Sequence, residues 1–213
     1  SPRGGGSGQC FCCRDREVRK IIDMASAPEG RMPLFFIHGE AGVGKTALVN
    51  YVTELLSEES GDVFSACPMS IGEKYPYSSW NNIAVSLVER FREENMSVDA
   101  GTLSVLSRHF YGISGEDCRG TPLIPERDIF AVGKALAGLS ARLYRGKPLF
   151  FIFEDMHWFD AQSLDLLRVF LPELRVPAVI FMTSRPESAE AIIKMIYNIK
   201  PVPARNFMQM RLM

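Results

Sequence analysis

Gly39, Gly44, Lys45 and Thr46 fall on the spacing G-x-x-x-x-G-K-[ST] within the stretch Leu34–Thr46, LFFIHGEAGVGKT. A loop of this kind, here Gly39, Glu40, Ala41, Gly42, Val43 and Gly44, wraps a polyphosphate with its backbone N–H groups. Glycine admits the positive φ angles of the turn and removes side chains that would block close approach. Lys45 is placed to neutralise outer phosphates, and the Thr46 hydroxyl to ligate Mg²⁺. Ahead of the loop, Leu34, Phe35, Phe36 and Ile37 suit a strand buried on both faces. Behind it, Ala47, Leu48, Val49, Tyr51, Val52, Leu55 and Leu56 recur at helical spacing, so the phosphates meet a helix N-terminus. A glycine-rich turn with an exposed lysine is the competing reading. A chance match in a chain of this length is on the order of one in a hundred, and the strand–loop–helix order lowers it further.

A second constellation is Leu149–Asp160, LFFIFEDMHWFD. Five apolar residues ending in Glu154 and Asp155 describe a buried strand with carboxylates at its C-terminal edge, where open α/β sheets bind ligands. A nucleoside triphosphate carries Mg²⁺. One carboxylate near Thr46 can therefore anchor that ion or its water, while the other orients the attacking water. A third is Ala178–Pro186, AVIFMTSRP, a buried strand ending in Thr183 and Ser184 and followed by Arg185. Beside the loop-bearing strand, the fixed fork of donors on Arg185 suits sensing of a γ-phosphate. The competing reading is a surface arginine beside a turn-forming proline.

The elements that must position these groups follow from the rest of the chain. The 213 residues suit one domain, or a large core with part of a second, and are ample for a hydrophobic core. Lys and Arg number 24 against 25 Asp and Glu, which leaves no overall electrostatic footprint for nucleic acid. Lys194, Lys200, Arg205 and Arg211 form a local basic bias that reads as a solvated face. No apolar run approaches a membrane span and no signal peptide opens the chain, so a soluble, cytoplasmic protein is expected. The five cysteines, three of them in Cys10-Phe11-Cys12-Cys13, lack disulfide or zinc spacing and read as reduced thiols. Helices are expected over Asp15–Ala27, Ser79–Glu94, Thr102–Phe110 and Asp128–Tyr144, strands over Asp62–Cys67 and Phe207–Leu212, and a surface loop over Gly112–Pro125. Asp160 reads as the N-cap of AQSLDLL.

These residues carry a family resemblance. From Phe11 to about Pro186 the chain resembles the ATPase core of the AAA-related signal-transduction ATPases called STAND, the branch found in bacterial transcription activators and beside class III nucleotide cyclase and protein kinase domains. The matching features are F-x-x-R-x-x-E at Phe11, Arg14 and Glu17, HGEAGVGKTALV at His38–Val49, PYSSW at Pro76–Trp80, EDMHWFDAQSLDLL at Glu154–Leu167 and TSRP at Thr183–Pro186. Cys13 stands where relatives usually carry glycine, and Glu154-Asp155 where many carry Asp-Asp.

The resemblance implies an α/β P-loop NTPase sandwich with a mainly parallel five-stranded sheet in the order 2-3-4-1-5 and helices on both faces. The Thr183 strand would lie between the P-loop and Glu154 strands. It implies ATP and Mg²⁺ as cofactors, held by the loop through Thr46 and Ala47, with the Arg14 segment near the adenine. Thr46, Glu154 and Asp155 would serve the metal, and Glu154, Asp155 and Arg185 the chemistry. The division expected is a disordered lead-in at 1–9 and an ATPase core at 10–213, without the lid and winged-helix region that follows it in relatives. Trp80 and Trp158 are expected to pack, and His157 to be structural. The leading expectation is a slow ATPase acting as a switch beside effector and sensor domains of the same protein. A nucleotide-locked interaction scaffold and a DNA-associated AAA-type ATPase are the alternatives. The charge balance makes nucleic acid a poor partner.

Overall fold

The computed structural model describes residues 14–26, 32–57, 61–68, 75–113, 125–199 and 206–213. Five strands, β1 (Leu34–His38), β2 (Val63–Ala66), β3 (Leu149–Phe153), β4 (Ala178–Ser184) and β5 (Phe207–Arg211), pair in the order β2-β3-β4-β1-β5. Every pairing is parallel. This is the order the resemblance implies, with the Thr183 strand between those that carry the loop and the acid pair. Register then sets the site. His38 lies opposite Ser184 and Phe153 opposite Met182, so the loop and the acid pair leave the sheet at the same edge.

The apolar runs explain the layering. β1, β3 and β4 are buried at every position, which requires cover on both faces. Alternate side chains serve the two covers. Phe35, Ile37, Phe150, Ile152 and Phe181 pack with α1 (Asp15–Ala25) and α2 (Lys45–Ser57). Phe36, Phe151, Phe153, Ile180 and Met182 face the other way, into a cluster with α3 (Asn81–Glu93), α4 (Ala100–His109), α5 (Pro125–Leu143), α6 (Ala161–Glu173) and α7 (Pro186–Tyr197). The outer strands β2 and β5 are partly exposed.

Several boundaries differ from the sequence expectation. α3 starts at Asn81 because Ser78–Trp80 forms a 3-10 turn behind Tyr77, a left-handed residue at φ 64°. α4 starts at Ala100, where the Asp99 side chain accepts the Thr102 N–H, and α5 runs from Pro125 rather than Asp128. α7 was not anticipated from Pro186, whose apparent role as a turn former masked a helix start. Proline suits the first helical position because its missing N–H is unneeded there. Trp80 packs as expected, fully buried against Phe153 and Phe170, with its indole N–H donating to the Ser163 carbonyl at 2.9 Å. The lead-in 1–9, the Cys10–Cys13 cluster and most of the Gly112–Pro125 loop lie outside the described residues.

Candidate functional site

The loop between β1 and α2 is built as its glycines allow. Gly44 takes φ 89°, a region closed to most side chains. At Gly39 an added Cβ would lie 2.7 Å from the Leu212 carbonyl, so only glycine lets the loop pass the end of β5. Lys45 opens α2 and is buried. Its ammonium turns back along the loop and donates to the carbonyls of Gly39 at 2.8 Å and Glu40 at 2.9 Å. Arg14, just before α1, donates from Nη2 to the Val43 carbonyl. The segment matched to the N-terminal pattern is therefore tied to the phosphate loop itself. Glu40, Ala41, Thr46 and Ala47 are exposed at the loop and helix start.

The acid pair meets this loop. Thr46 Oγ1 donates to Glu154 Oε2 across 3.4 Å, joining residues 108 positions apart in the chain. Burial pushes the Glu154 carboxyl above the ordinary carboxylate range. The Thr46 hydrogen bond opposes that shift, and the neighbouring Asp155 charge adds to it. Asp155 takes a left-handed backbone, φ 48° and ψ 47°, and its N–H donates to Thr183 Oγ1 at 2.9 Å. The Gly39 N–H in turn donates to the Ser184 carbonyl at 3.3 Å. Thr183 and Ser184 thus join the end of β4 to both halves of the site. The polar ending of an otherwise apolar strand was the only sequence signal for this role.

Arg185 stands at the end of β4, exposed, with its guanidinium carbon 5.7 Å from the centroid of the Trp158 ring. Trp158 itself is 43% exposed and packs at the surface, between Arg185 and the His157 ring, whose centroid lies 5.3 Å away. The 3-10 turn Met156–Trp158 buries Met156 instead. His157 is largely buried beside the acid pair, with Nδ1 4.0 Å from Asp155 Oδ1. Burial pulls its pKa below the ordinary imidazole value; Asp155 opposes this, and Arg185 and Lys45 reinforce it. Asp160 caps α6 as expected, accepting the Ser163 N–H at 2.8 Å. It also accepts from the Tyr77 N–H and the Ser78 hydroxyl, fastening the PYSSW segment to the turn after the acid pair.

A hydroxyl and two carboxylates beside a phosphate loop are hard oxygen donors that fit Mg²⁺. This ion commonly takes one or two protein carboxylates and completes its shell with phosphate and water. Among the described residues there is no group of three or more His, Cys, Asp or Glu that could hold a metal ion. Among the described residues no helix is long and apolar enough to cross a membrane.

Strand order, loop and acid pair define a P-loop α/β domain. A model of the AAA ATPase domain family matches residues 11–182, and the chain belongs to that family. No curated protein matches. Among solved structures, the Aeropyrum pernix ORC1 protein in complex with DNA is similar at TM-score 0.51 and 14% identity, over 94% of this chain and 45% of that one. A chain of Drosophila ORC bound to GC-rich DNA and Cdc6 is similar at TM-score 0.52 and 11% identity, over 93% of this chain and 28% of that one. This chain therefore spans less than half of either, and at such identity the likeness concerns the fold.

Proposed function

We propose that this domain binds Mg·ATP, hydrolyses it slowly and serves as a nucleotide-dependent switch beside effector and sensor domains of a signalling protein. The observation that carries the reading is the 3.4 Å approach of Thr46 Oγ1 to Glu154 Oε2. It brings the metal-ligating hydroxyl of a phosphate loop to the acid pair on β3. Lys45, now held by the Gly39 and Glu40 carbonyls, has a charge suited to the outer phosphates. Bound Mg²⁺ would neutralise charge developing on the phosphates. Glu154, beside Thr46, serves the metal side. Asp155 serves the water, orienting it and accepting its proton. Arg185, at the neighbouring strand end, reads the γ-phosphate. The signalling role rests on the motif resemblance, and the net charge of −1 gives no support to a DNA-binding surface.

The test is phosphate release from Mg·ATP by the whole chain, alongside nucleotide affinity. Asp155→Asn should lower release about 100-fold or more, the range for losing a general base, with affinity changed only a few-fold. Tight binding without release by the parent protein would favour the nucleotide-locked scaffold. Loss of affinity equal to loss of release would remove Asp155 from the chemistry.

A further inference from the structure

His157 has an arrangement that packing alone does not account for. Its side chain is 8% exposed, and both ring nitrogens are buried without a hydrogen-bond partner among the described residues. A buried donor or acceptor is normally satisfied, and each exception calls for a reason. The ring belongs to the 3-10 turn Met156–Trp158, closed by the Trp158 N–H to the Asp155 carbonyl at 2.9 Å and the Phe159 N–H to the Met156 carbonyl at 3.1 Å. Met156, buried in the core, anchors that turn. His157 is thus held in place by its backbone while its polar atoms remain unused.

What faces it is the nucleotide site. Asp155 Oδ1 lies 4.0 Å from Nδ1, too far for a hydrogen bond and within reach of a small carboxylate rotation. Lys45 of the loop and Arg185 and Glu187 beyond β4 are the other charges that act on the ring. Asp155 shows the complementary deficiency. Its backbone is fixed through the Thr183 hydrogen bond, whereas its side chain is 46% exposed. A carboxylate that must orient a water molecule needs a fixed rotamer, and ordering it costs side-chain entropy.

We propose that His157 is a positioning residue for Asp155. When nucleotide fills the site, the neutral imidazole donates from Nδ1–H to the Asp155 carboxylate and holds it toward the attacking water. This rests on the reading of Asp155 given above and adds the group that orients it. The bond selects the tautomer with the proton on Nδ1 and leaves Nε2 as an acceptor.

Three variants and one spectrum test the assignment on the whole chain. Asparagine places an amide N–H where Nδ1 stands, glutamine reaches the Nε2 position, and phenylalanine keeps the ring shape without either nitrogen. His157→Phe and His157→Gln should each lose about 10-fold or more in kcat, the scale seen when the partner orienting a catalytic ligand is removed. KM and the affinity for Mg·ADP should stay within about twofold, and His157→Asn should recover most of kcat. In parallel, nitrogen NMR of the histidine-labelled protein should show His157 adopt the Nδ1–H tautomer on addition of Mg²⁺ with a non-hydrolysable ATP analogue. Asp155→Asn should abolish that response. Equal losses for asparagine and phenylalanine, a parent-like His157→Phe, or a tautomer unmoved by the analogue would each overturn the proposal. If the parent binds the analogue but releases no phosphate, the hydrolytic reading fails on its own. The nitrogen spectrum then still decides whether His157 engages Asp155.

Discussion

At the scale of single residues, the site separates groups held by the sheet from groups free to move. Thr183 and the Asp155 backbone are fixed by a hydrogen bond, and Lys45 is buried against its own loop. Arg185 has no such anchor. It stands at the N-cap position of α7 without a side-chain cap bond, exposed, its guanidinium resting on the half-exposed Trp158 ring. A cation–π contact at such a site contributes on the order of 0.5–1 kcal/mol. A charge-assisted hydrogen bond to phosphate, at about 1.5–3 kcal/mol, outweighs it. Arg185 should therefore leave Trp158 when a γ-phosphate is present and stay when it is absent. Arg185→Ala is expected to weaken Mg·ATP by roughly 2- to 70-fold while changing Mg·ADP little, since about 0.5–2.5 kcal/mol survives the exchange. Titration of both nucleotides on parent and variant decides it, and an equal loss for both would exclude a γ-phosphate sensor.

At the scale of elements, the polar clamps connect segments whose apolar faces already agree. Asp160 caps α6 and also receives the Tyr77 N–H and the Ser78 hydroxyl. Asp160→Ala removes a cap and leaves donors of the PYSSW segment unsatisfied. Urea denaturation should read a loss of about 2–4 kcal/mol; a loss under about 0.5 kcal/mol would mean the clamp is idle. A second junction titrates. His109, at the end of α4, reaches Asp128 on α5 at 3.1 Å, and Arg108 reaches the same carboxylate at 3.2 Å. Burial is the main cause of a lowered His109 pKa, with Asp128 opposing it. His38 and His157 are lowered by burial as well. In the unfolded chain each returns to about 6.5. Below that value the unfolded state binds more protons than the folded one, so stability present near neutrality is lost as pH falls. Thermal melts between pH 7.5 and 5 should show the decline, and His109→Gln should lessen its slope. A slope unchanged by the variant would mean that His109 takes up no extra proton on unfolding.

At the scale of the whole molecule, the sheet was legible because runs such as LFFIH and LFFIF admit little except strands buried on both faces. The motif resemblance supplied their order. The phosphate loop and acid pair were legible as residue types at fixed spacing. The clamp from Thr183 to Asp155 was not, because it depends on where two strands contributing residues 28 positions apart end relative to one another, and neither were the exposure of Trp158 and the buried, unbonded ring nitrogens of His157, which are set by the irregular turn after β3. The helix after Pro186 was hidden for a local reason, since proline marks turns and helix starts alike. This distribution of the site yields the broadest prediction. Its groups come from the loop after β1, the end of β3 and the end of β4, so a ligand that touches all three crosslinks the central strands and binds only the folded chain. A ligand at 100 times its dissociation constant then stabilises by about 2.7 kcal/mol, or roughly 5–11 °C for a domain of this size. Mg·ATP should raise Tm by that amount. ATP with EDTA should do less, because Thr46 and Glu154, the groups proposed to serve the metal, then lack the ion that would join them to the phosphates. Lys45→Ala should abolish most of the shift at the same nucleotide concentration, measured from the variant's own nucleotide-free Tm. Should Lys45→Ala retain the full Mg·ATP shift, the nucleotide binds elsewhere and the strand-edge site is not the one that holds it.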